Sequence, residues 1–461
     1  MKDYILDDTI AAISTPPGHG AIAIIRLSGT GAFSIAKEIF RSDENFEKLA
    51  PWRTAFGKIY DNKDEIDEVI LVKFARPNSY TKEDMVEINS HGGGYVSRRI
   101  LELLLDKGAR LAGPGEFTLR AFLNGRMDLS RAEAVSDLIQ AQTELSLQTA
   151  LNQLDGKLSH RIKEIRDEIV DSTSLLELEL DFSEEDLEFV NRQELIEKIG
   201  KIKSEISDLI FSFRVGRIAR EGVKLVITGK PNVGKSSLLN RLVKEERAIV
   251  TDIPGTTRDA LEVHLDISGV LFRIVDTAGL IHTDDPIEKE GIRRAEQHLK
   301  TADIIVHLFD GSNKLEKNDQ KIIDKVEMLS SVNVIRVLNK ADRDQVLNKS
   351  ELCRNSDQIL SISALNGSGI KQLEKQLLKV VFGKSENRLQ QTMVTNVRHC
   401  DSLKNALASL TDAVGEIEKG VSSEFITVYL RDGLDSLGKI VGEVTSEDVL
   451  NNIFSKFCIG K

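Results

Sequence analysis

The chain of 461 residues has little cysteine and no long apolar run. Its three cysteines, Cys353, Cys400 and Cys458, are widely spaced, so they form neither a zinc-ligand pattern nor a disulfide framework. No apolar run approaches the roughly 18 residues that a membrane-spanning helix requires. The segment Met1–Asp8 carries charges where a secretory signal peptide needs its apolar stretch. These absences predict a cytoplasmic protein that does not use a membrane.

An excess of basic residues is lacking as well. The chain has 62 Lys+Arg against 73 Asp+Glu, which gives a formal net charge of −11. A protein that covers nucleic acid over a large surface is normally basic. We therefore expect any contact with RNA to be local or assisted by a partner.

Proline is sparse and unevenly placed. Five of the eight prolines lie at or before Pro114, none lies between 115 and 230, and none follows Pro286. In the proline-free stretches, apolar residues recur at the spacing of helices that bury one face. These residues are Leu151, Leu154, Leu158, Ile162, Ile165 and Ile169, then Ile199, Ile202, Ile206 and Leu209, then Leu403, Leu407, Leu410, Val414 and Ile417, and finally Ile426, Leu430, Leu434, Leu437 and Val441.

The sequence predicts a multidomain chain with α+β, all-α and α/β parts, and its length suits roughly three domains. Strand patterns at 10–13, 21–27, 57–61, 68–74 and 85–89 predict an α+β domain over residues 1–120. Residues 121–219 and 385–461 are expected to pack as one helical domain. An α/β domain at 220–384 interrupts it.

The most specific motif is the octet Gly229–Ser236, a complete Gly-x-x-x-x-Gly-Lys-Ser loop between a strand-like run and a helix-like run. Such a loop directs several backbone N–H groups at one point, which favours a phosphate. Lys235 is expected to reach the β- and γ-phosphates as a catalytic group, and Ser236 to bind Mg²⁺. The predicted GTP contacts here are Asn232, Val233, Gly234, Lys235, Ser236 and Ser237.

Further motifs follow in the order that a GTPase requires. Thr257 is expected to complete the Mg²⁺ shell, and Asp276, at the end of an apolar strand, to bind Mg²⁺ through water. Asp342 can accept two hydrogen bonds that guanine offers and adenine does not. Together the motifs predict a Ras-like P-loop GTPase domain. Its remaining predicted GTP contacts are Thr251, Asp252, Ile253, Pro254, Gly255, Thr256, Thr257, Asp276, Thr277, Ala278, Gly279, Asn339, Lys340, Ala341, Asp342, Ser363, Ala364 and Leu365.

One position departs from Ras-like enzymes. Leu280 stands where those enzymes have a glutamine that orients the attacking water. The loop that follows is acidic and offers a carboxylate instead, although a solvated loop accounts for most of its acids. The acids are Asp284, Asp285, Glu288 and Glu290.

Motifs along the whole chain resemble those of the MnmE (TrmE) family, the tRNA wobble-uridine modification GTPases of bacteria and mitochondria. The motifs that carry the resemblance are Asp8-Thr-Ile-Ala-Ala, Thr15-Pro-Pro-Gly-x-Gly, Ile25-Arg-Leu-Ser-Gly29, Ser79-Tyr-Thr-x-Glu-Asp-x-Val-Glu87, His91-Gly-Gly, Gly113-Pro-Gly-Glu-Phe-Thr118, Arg120-Ala-Phe-Leu-Asn-Gly-Arg126 and the terminal Phe457-Cys-Ile-Gly-Lys461.

The resemblance implies an N-terminal folate-binding-like domain that dimerises and binds a tetrahydrofolate derivative, either 5,10-methylene or 5-formyl. It also implies a flavoprotein partner, MnmG (GidA), which contributes FAD and NADH in a heterotetramer or a larger complex. Together they would place a carboxymethylaminomethyl or aminomethyl group on carbon 5 of the wobble uridine of certain tRNAs. GTP hydrolysis would depend on K⁺.

Site residues follow from the resemblance by motif position. Folate contacts fall on Arg26, Glu87, Arg126 and Lys461, with structural ion pairing as the alternative for the two arginines. K⁺ ligands fall on Asn232, Thr251, Ile253 and Thr256, and the acid that orients water falls on Glu288. Cys458 matches a family cysteine, and a small buried apolar role is favoured for it over direct chemistry.

Three positions depart from the family pattern. His19 stands where arginine is usual, Ala21 where glycine is usual, and Pro254 replaces a small residue in the K⁺ loop. Pro254 fixes φ without removing a carbonyl ligand, so we expect coordination to survive.

Two other functions are compatible with a GTPase. A ribosome-assembly RNA-binding GTPase of the Era or Der type would be expected to show a KH-like Gly-x-x-Gly module or a second GTPase domain, and neither pattern is visible in the sequence. A pure interaction switch would lack folate binding.

Overall fold

The structure is a computed structural model that describes residues 7–43, 46–181, 191–245, 247–248, 262–276, 296–329, 332–349, 352, 359–383 and 392–461. The chain divides into two compact units. The first comprises Met1–Ser136, Gln153–Ile199 and Asn405–Lys461, and the second comprises Asp137–Asn152 and Gly200–Lys404. Among the described residues, no helix is both long and apolar enough to cross a membrane.

The first unit contains a sheet that, within the described residues, has seven strands in the order β3-β4-β5-β6-β2-β1-β7. Neighbouring strands are antiparallel except for the parallel pair of β1 and β7. The strands are β1 (Ile10–Ile13), β2 (Ile22–Ser28), β3 (Phe40–Arg41), β4 (Thr54–Asp61), β5 (Asp64–Phe74), β6 (Met85–His91) and β7 (Arg110–Leu111). All five strands predicted in this part of the chain are present.

The two faces of this sheet differ because side chains alternate along each strand. In β2, Ile25 and Leu27 are buried against helices α1 (Ala32–Ile39) and α2 (Gly94–Asp106), whereas Arg26 lies on the opposite face. On that opposite face, Ile10 and Ala12 of β1 are covered by Phe117 of helix α3 (Glu116–Leu123). The rest of the opposite face, over β4, β5 and β6, is more open.

The helices of the predicted helical domain lie in both units. Helix α6 (Lys157–Asp181) packs against the helix Ser423–Val441. Its buried face includes Leu158, Ile162 and Ile165, as the spacing predicts. The other helices are α4 (Leu129–Gln140), α5 (Glu144–Leu154), α7 (Arg192–Glu221), Val397–Glu418 and Glu447–Phe454.

The second unit contains the α/β domain. Its sheet has, within the described residues, seven strands in the order β14-β13-β12-β8-β11-β10-β9, and only β10 runs antiparallel to its neighbours. The strands are β8 (Val223–Thr228), β9 (Arg247–Ala248), β10 (Glu262–Ile267), β11 (Val270–Asp276), β12 (Ile304–Asp310), β13 (Asn333–Asn339) and β14 (Leu360–Ser361). The helices here include α8 (Lys235–Glu245), Lys317–Glu327 and Ile370–Phe382.

Two strands of this sheet differ from the sequence prediction. The central strand β12 was not predicted, although every residue in it is buried. The strand predicted at 358–362 is shorter, because β14 comprises only Leu360–Ser361.

Candidate functional site

The phosphate-binding loop lies between β8 and α8 and is shaped by two glycines that no other residue can replace without strain. Gly229 has φ +151°, and a Cβ atom there would lie 2.4 Å from the Leu308 carbonyl oxygen. Gly234 has φ +103°, and its Cβ would lie 2.3 Å from Nδ2 of Asn339. Asn232 also has a positive φ, of 63°, which asparagine tolerates better than most residues.

Lys235 closes over this loop. Its Nζ donates hydrogen bonds to the carbonyl oxygens of Gly229 (3.0 Å) and Lys230 (3.1 Å). The next two residues, Ser236 and Ser237, are exposed in the first turn of α8. A loop of this form at a helix N-terminus presents backbone N–H groups and a lysine to an anion. The arrangement suits the phosphates of a nucleotide.

Asn339 connects the phosphate-binding loop to the loops that are predicted to contact the base. It is buried at the end of β13, where its Nδ2 donates to the Val233 carbonyl (2.7 Å) and its Oδ1 accepts from the Ala364 backbone N–H (3.0 Å). Asp342 is held by a hydrogen bond from the Ser363 hydroxyl. That bond is the main cause of the lowered pKa of Asp342. Three predicted segments therefore converge at the ends of β8, β13 and β14.

Asp310, at the end of β12, is a residue that sequence reasoning missed. Its Oδ2 accepts a hydrogen bond from Nζ of Lys340 at 2.6 Å. Burial alone would raise the pKa of Asp310, but hydrogen bonds from Lys340, Ser312 and Asn313 outweigh burial and lower the pKa to about 2. The signal was present, because an apolar run ends at Asp310-Gly311 just as others end at motif residues.

Several predicted nucleotide and ion contacts lie outside the described residues. These are the segment 251–257, the segment 277–279 and Glu288. Asp276 is the last residue of β11, and its backbone lies in register with Ile227 of the neighbouring β8. Among the residues that the structure does describe, no group of three or more His, Cys, Asp and Glu side chains is placed to hold a metal ion.

The predicted folate contacts lie in the first unit. Arg26 of β2 and Glu87 of β6 are register partners on adjacent strands, and Arg26 Nε donates to Glu87 Oε1 at 2.7 Å. Both side chains are mostly buried, with 18% and 17% exposed. Arg26 therefore forms an ion pair, which was the alternative to a folate contact. This ion pair lies on the same sheet face as the other predicted folate contacts.

The C-terminal tail lies against the sheet of its own chain. Ile459 forms an isolated antiparallel bridge with Pro114. The Gly460 carbonyl accepts hydrogen bonds from the Ser14 hydroxyl (3.0 Å) and from Arg26 Nη1 (3.5 Å). Gly460 has φ +91°, and a Cβ there would lie 2.6 Å from the Ile13 carbonyl oxygen, so the position requires glycine.

Lys461 and Arg126 complete the cluster. Burial lowers the pKa of Lys461, and the nearby charge of Arg26 adds to the effect, while Glu87 opposes it. Arg126 donates through Nη1 to the Tyr80 carbonyl oxygen (3.0 Å), and its guanidinium carbon lies 4.5 Å from the centre of the Tyr80 ring. The guanidinium carbon of Arg26 lies 5.8 Å from the same centre. All four predicted folate contacts are therefore brought together, although they are distant in sequence.

Three other predicted positions are exposed. Cys458 was expected to be a small buried side chain, and that prediction is wrong because the thiol is exposed. Its backbone carbonyl accepts from the Gly115 N–H at 3.3 Å, so the backbone docks while the side chain faces outward. His19 and Ala21 are also exposed, at and just after the turn that precedes β2.

Comparisons with known proteins find relatives along nearly the whole chain. Residues 9–126 match the family model "GTP-binding protein TrmE N-terminus", and residues 129–458 match "MnmE helical domain". The tRNA modification GTPase MnmE of Clostridioides difficile (strain 630) is 45% identical over 460 residues, which cover 99% of this chain and 100% of the relative. The protein of the same name from Acetivibrio thermocellus is 42% identical over 459 residues and covers 99% of both chains.

A solved structure of Era with MgGDPNP and ribosomal RNA is 25% identical, covering 41% of this chain and 66% of that chain, at a TM-score of 0.29. That TM-score is too low for the likeness to carry an argument. The family models and the full-length relatives, in contrast, establish the family of the chain. The chain, a GTP hydrolase with its phosphate-binding loop intact, belongs to the MnmE family of tRNA modification GTPases.

Proposed function

We propose that the chain is a K⁺-activated GTPase that modifies tRNA together with a FAD-dependent partner. In this proposal it adds a carboxymethylaminomethyl or aminomethyl group to carbon 5 of the wobble uridine of certain tRNAs, with a tetrahydrofolate derivative as one-carbon donor. The observation that carries the proposal is the convergence of Arg26, Glu87, Arg126 and Lys461 on one sheet face. The family match favours this function over the ribosome-assembly alternative.

The N-terminal cluster fits a folate by its chemistry. Three cationic side chains stand with one carboxylate side chain, so the site favours an anionic ligand. The glutamate carboxylates of a folate suit Arg26, Arg126 and Lys461, and the aminopyrimidine edge of the pterin suits Glu87. When bound, a tetrahydrofolate supplies the one-carbon unit. The protein's part is to bind and orient it, with Gly460 and Lys461 of the tail closing one side.

The nucleotide site fits GTP with Mg²⁺. The exposed hydroxyl of Ser236 is a hard oxygen ligand at the helix N-terminus, which is the donor type that Mg²⁺ prefers. Lys235 exchanges its two carbonyl hydrogen bonds for phosphate oxygens when nucleotide enters. Asp342, oriented by the hydrogen bond from Ser363, accepts hydrogen bonds from the guanine edge. The bound ion would neutralise the charge that develops on the phosphates.

K⁺ activation rests on the family resemblance and on Asn232. Asn232 is exposed within the phosphate-binding loop, and its amide oxygen is a suitable ligand for a hard cation. Thr251, Ile253 and Thr256 are proposed as the further K⁺ ligands, Thr257 as the second protein ligand of Mg²⁺, and Glu288 as the acid that orients water.

GTP turnover should be well above its Na⁺ level in K⁺, and Glu288→Ala should lose turnover while still binding nucleotide. Equal rates in the two salts would refute K⁺ activation.

A homodimer is supported by the open part of the N-terminal sheet. Phe56, Ile70, Asn89 and Ile24 lie in register across β4, β5, β6 and β2. Phe56 is 67% exposed and Ile70 is 48% exposed, which is unusual for adjacent apolar residues on a sheet. Arg26 lies two residues along β2 from this row, so a second copy that covered the row would also close over the folate cluster.

Phe56→Glu should yield a monomer in light scattering, whereas a stable dimer would refute this interface.

The test of the whole proposal is nucleoside mass spectrometry. A strain that lacks the gene should lose both wobble-uridine modifications, and the wild-type gene should restore them. The variant Arg26→Ala should fail to restore them while the purified protein still hydrolyses GTP. Unchanged wobble uridines in the deletion strain would overturn the proposal. The flavoprotein partner is tested by purifying the tagged chain and examining whether a protein that contains FAD co-purifies with it.

A further inference from the structure

The motif Ser79–Asp84 is prominent in the sequence, yet the proposed folate contacts do not include any residue of it. In the structure this segment is a loop held rigidly from several sides. The Ser79 hydroxyl donates to the Glu83 carbonyl (2.6 Å), and the Thr81 hydroxyl shares a hydrogen bond with Ser28 (2.6 Å). Asn124 Nδ2 donates to the Thr81 carbonyl at 2.7 Å. A loop fixed this firmly places Tyr80 in one position.

A buried ionic network supports the same loop. The guanidinium of Arg120 is 1% exposed and contacts the carboxylates of Asp8, Glu83 and Glu116. Glu83 also accepts from the Ser28 hydroxyl at 2.7 Å. Removing one member of a buried charge network is strongly destabilising, so the network holds the loop in a single conformation.

Tyr80 itself is held at both ends. Its ring packs against the cluster that includes Phe117, and its hydroxyl shares a 2.9 Å hydrogen bond with the buried Thr118 of α3. The ring lies under the guanidinium groups of both Arg26 and Arg126, and the Tyr80 carbonyl accepts from Arg126. One residue thus touches two of the four side chains of the folate cluster.

This contact matters most for Arg126, which is exposed and follows a glycine with positive φ. An exposed arginine normally samples many rotamers, and a ligand must then restrict them at a cost in affinity. A guanidinium stacked on an aromatic ring is attracted to it and oriented before the ligand arrives.

We propose that Tyr80 is a positioning residue of the folate site, whose ring presets the guanidinium groups of Arg26 and Arg126 for a carboxylate-bearing folate. The inference rests on the proposed folate site and adds a residue to it. The ring of Tyr80 orients the two guanidinium groups, while its hydroxyl serves only to anchor the ring to Thr118.

The test is calorimetric titration of the full chain with 5-formyltetrahydrofolate. Tyr80→Phe keeps the ring and should bind nearly as the wild type does. Tyr80→Leu should bind about tenfold more weakly, because Arg126 must be ordered by the ligand itself. If Tyr80→Leu fails to fold by circular dichroism, Tyr80→Met fills a similar volume without a ring and replaces it. The matched control is Tyr60→Leu, which removes the stacking of Arg41 on Tyr60 (4.6 Å) in the same sheet and should leave folate binding unchanged.

A double-mutant cycle separates positioning from general damage to the fold. If Tyr80 acts through Arg126, then Tyr80→Leu combined with Arg126→Ala should bind no more weakly than the Arg126→Ala variant, apart from the smaller contribution through Arg26. Fully additive losses, or wild-type affinity in a folded Tyr80→Leu protein, would overturn the inference alone. Failure of the wild-type protein to bind 5-formyltetrahydrofolate would overturn the proposed folate site, and the inference with it.

Discussion

The two candidate sites of this chain are built in opposite ways. In the α/β domain, the groups of predicted contacts that the structure describes are runs of consecutive residues at strand ends, such as Asn339–Asp342, which begins at the last residue of β13. In the N-terminal sheet, single residues come from distant parts of the chain, and the hydrogen bond between Arg26 and Gly460 spans 434 residues. The difference teaches that a strand end can specify a site locally, whereas a site on a sheet face depends on the whole fold. A substitution in the nucleotide site should therefore affect mainly its own loop, whereas a substitution in the N-terminal site should also affect the other residues of that site.

The largest effect that separates the two sites is expected from Gly234→Ala. The added Cβ meets Nδ2 of Asn339 at a backbone φ that alanine disfavours. GTP binding should weaken at least about 100-fold, because strain and clash both act on the phosphate-binding loop. Binding of 5-formyltetrahydrofolate should not change. Fluorescence titration with a labelled GTP analogue measures the GTP affinity, and calorimetry measures the affinity for 5-formyltetrahydrofolate.

The control is Gly415→Ala in the helix Val397–Glu418, where an added Cβ meets nothing within 4 Å. This variant should match the wild type in both assays. A parallel loss of folate binding in Gly234→Ala would show that the two sites are not separable.

A smaller effect, confined to base selectivity, is expected from Asp342→Asn. An amide cannot accept both hydrogen bonds from guanine, so GTP should bind roughly 10- to 100-fold more weakly. Xanthosine triphosphate should gain in relative affinity, because it offers a carbonyl to the amide. Competition binding with the two nucleotides checks this, and unchanged GTP affinity would refute the assignment of Asp342.

The smallest effect is on stability, and it concerns Asp310. Its folded pKa of about 2 lies below the usual value of 3.8, so the charged form contributes stability that is complete above about pH 4 and is lost as pH falls through 2. Asp310→Asn should lower the free energy of unfolding by about 2 kcal/mol at neutral pH. Chemical denaturation followed by circular dichroism should show this difference shrinking between pH 4 and pH 2. A difference that does not depend on pH would argue against the ion pair with Lys340.

Prediction from the sequence succeeded where local pattern decides the structure. The glycines and lysine of the phosphate-binding loop lie where the sequence places them, and so do the strands that precede this loop, Asp276 and Asn339. Strand β12 was missed because periodicity alone does not distinguish a buried parallel strand from a short helical segment, and Asp310 was missed with it. On the helix Val397–Glu418, Ala406 and Ala413 are fully buried beside Leu403 and Leu410, whereas Leu407 and Val414 are only partly buried. A scan for large apolar residues overlooks such alanines.

The N-terminal site could not be predicted from the residues alone. Arg26 and Glu87 become neighbours through the pairing of β2 with β6, and Lys461 joins them because the tail docks beside Pro114, far away in sequence. Neither pairing leaves a periodic signal. The resemblance to a family supplied these residues, and it gave no orientation for their side chains. The exposure of Cys458 illustrates the limit, since docking through its backbone leaves the thiol outside.

The central claim is that the tail completes the proposed folate site without taking part in the nucleotide site. The direct measurement is calorimetry of a variant that lacks residues 457–461, titrated with 5-formyltetrahydrofolate, alongside its GTPase rate. Because the tail supplies Lys461 and the Gly460 carbonyl that contacts Arg26, folate affinity should fall steeply while the GTPase rate stays near that of the wild type. Unchanged folate affinity in the truncated protein would contradict the account.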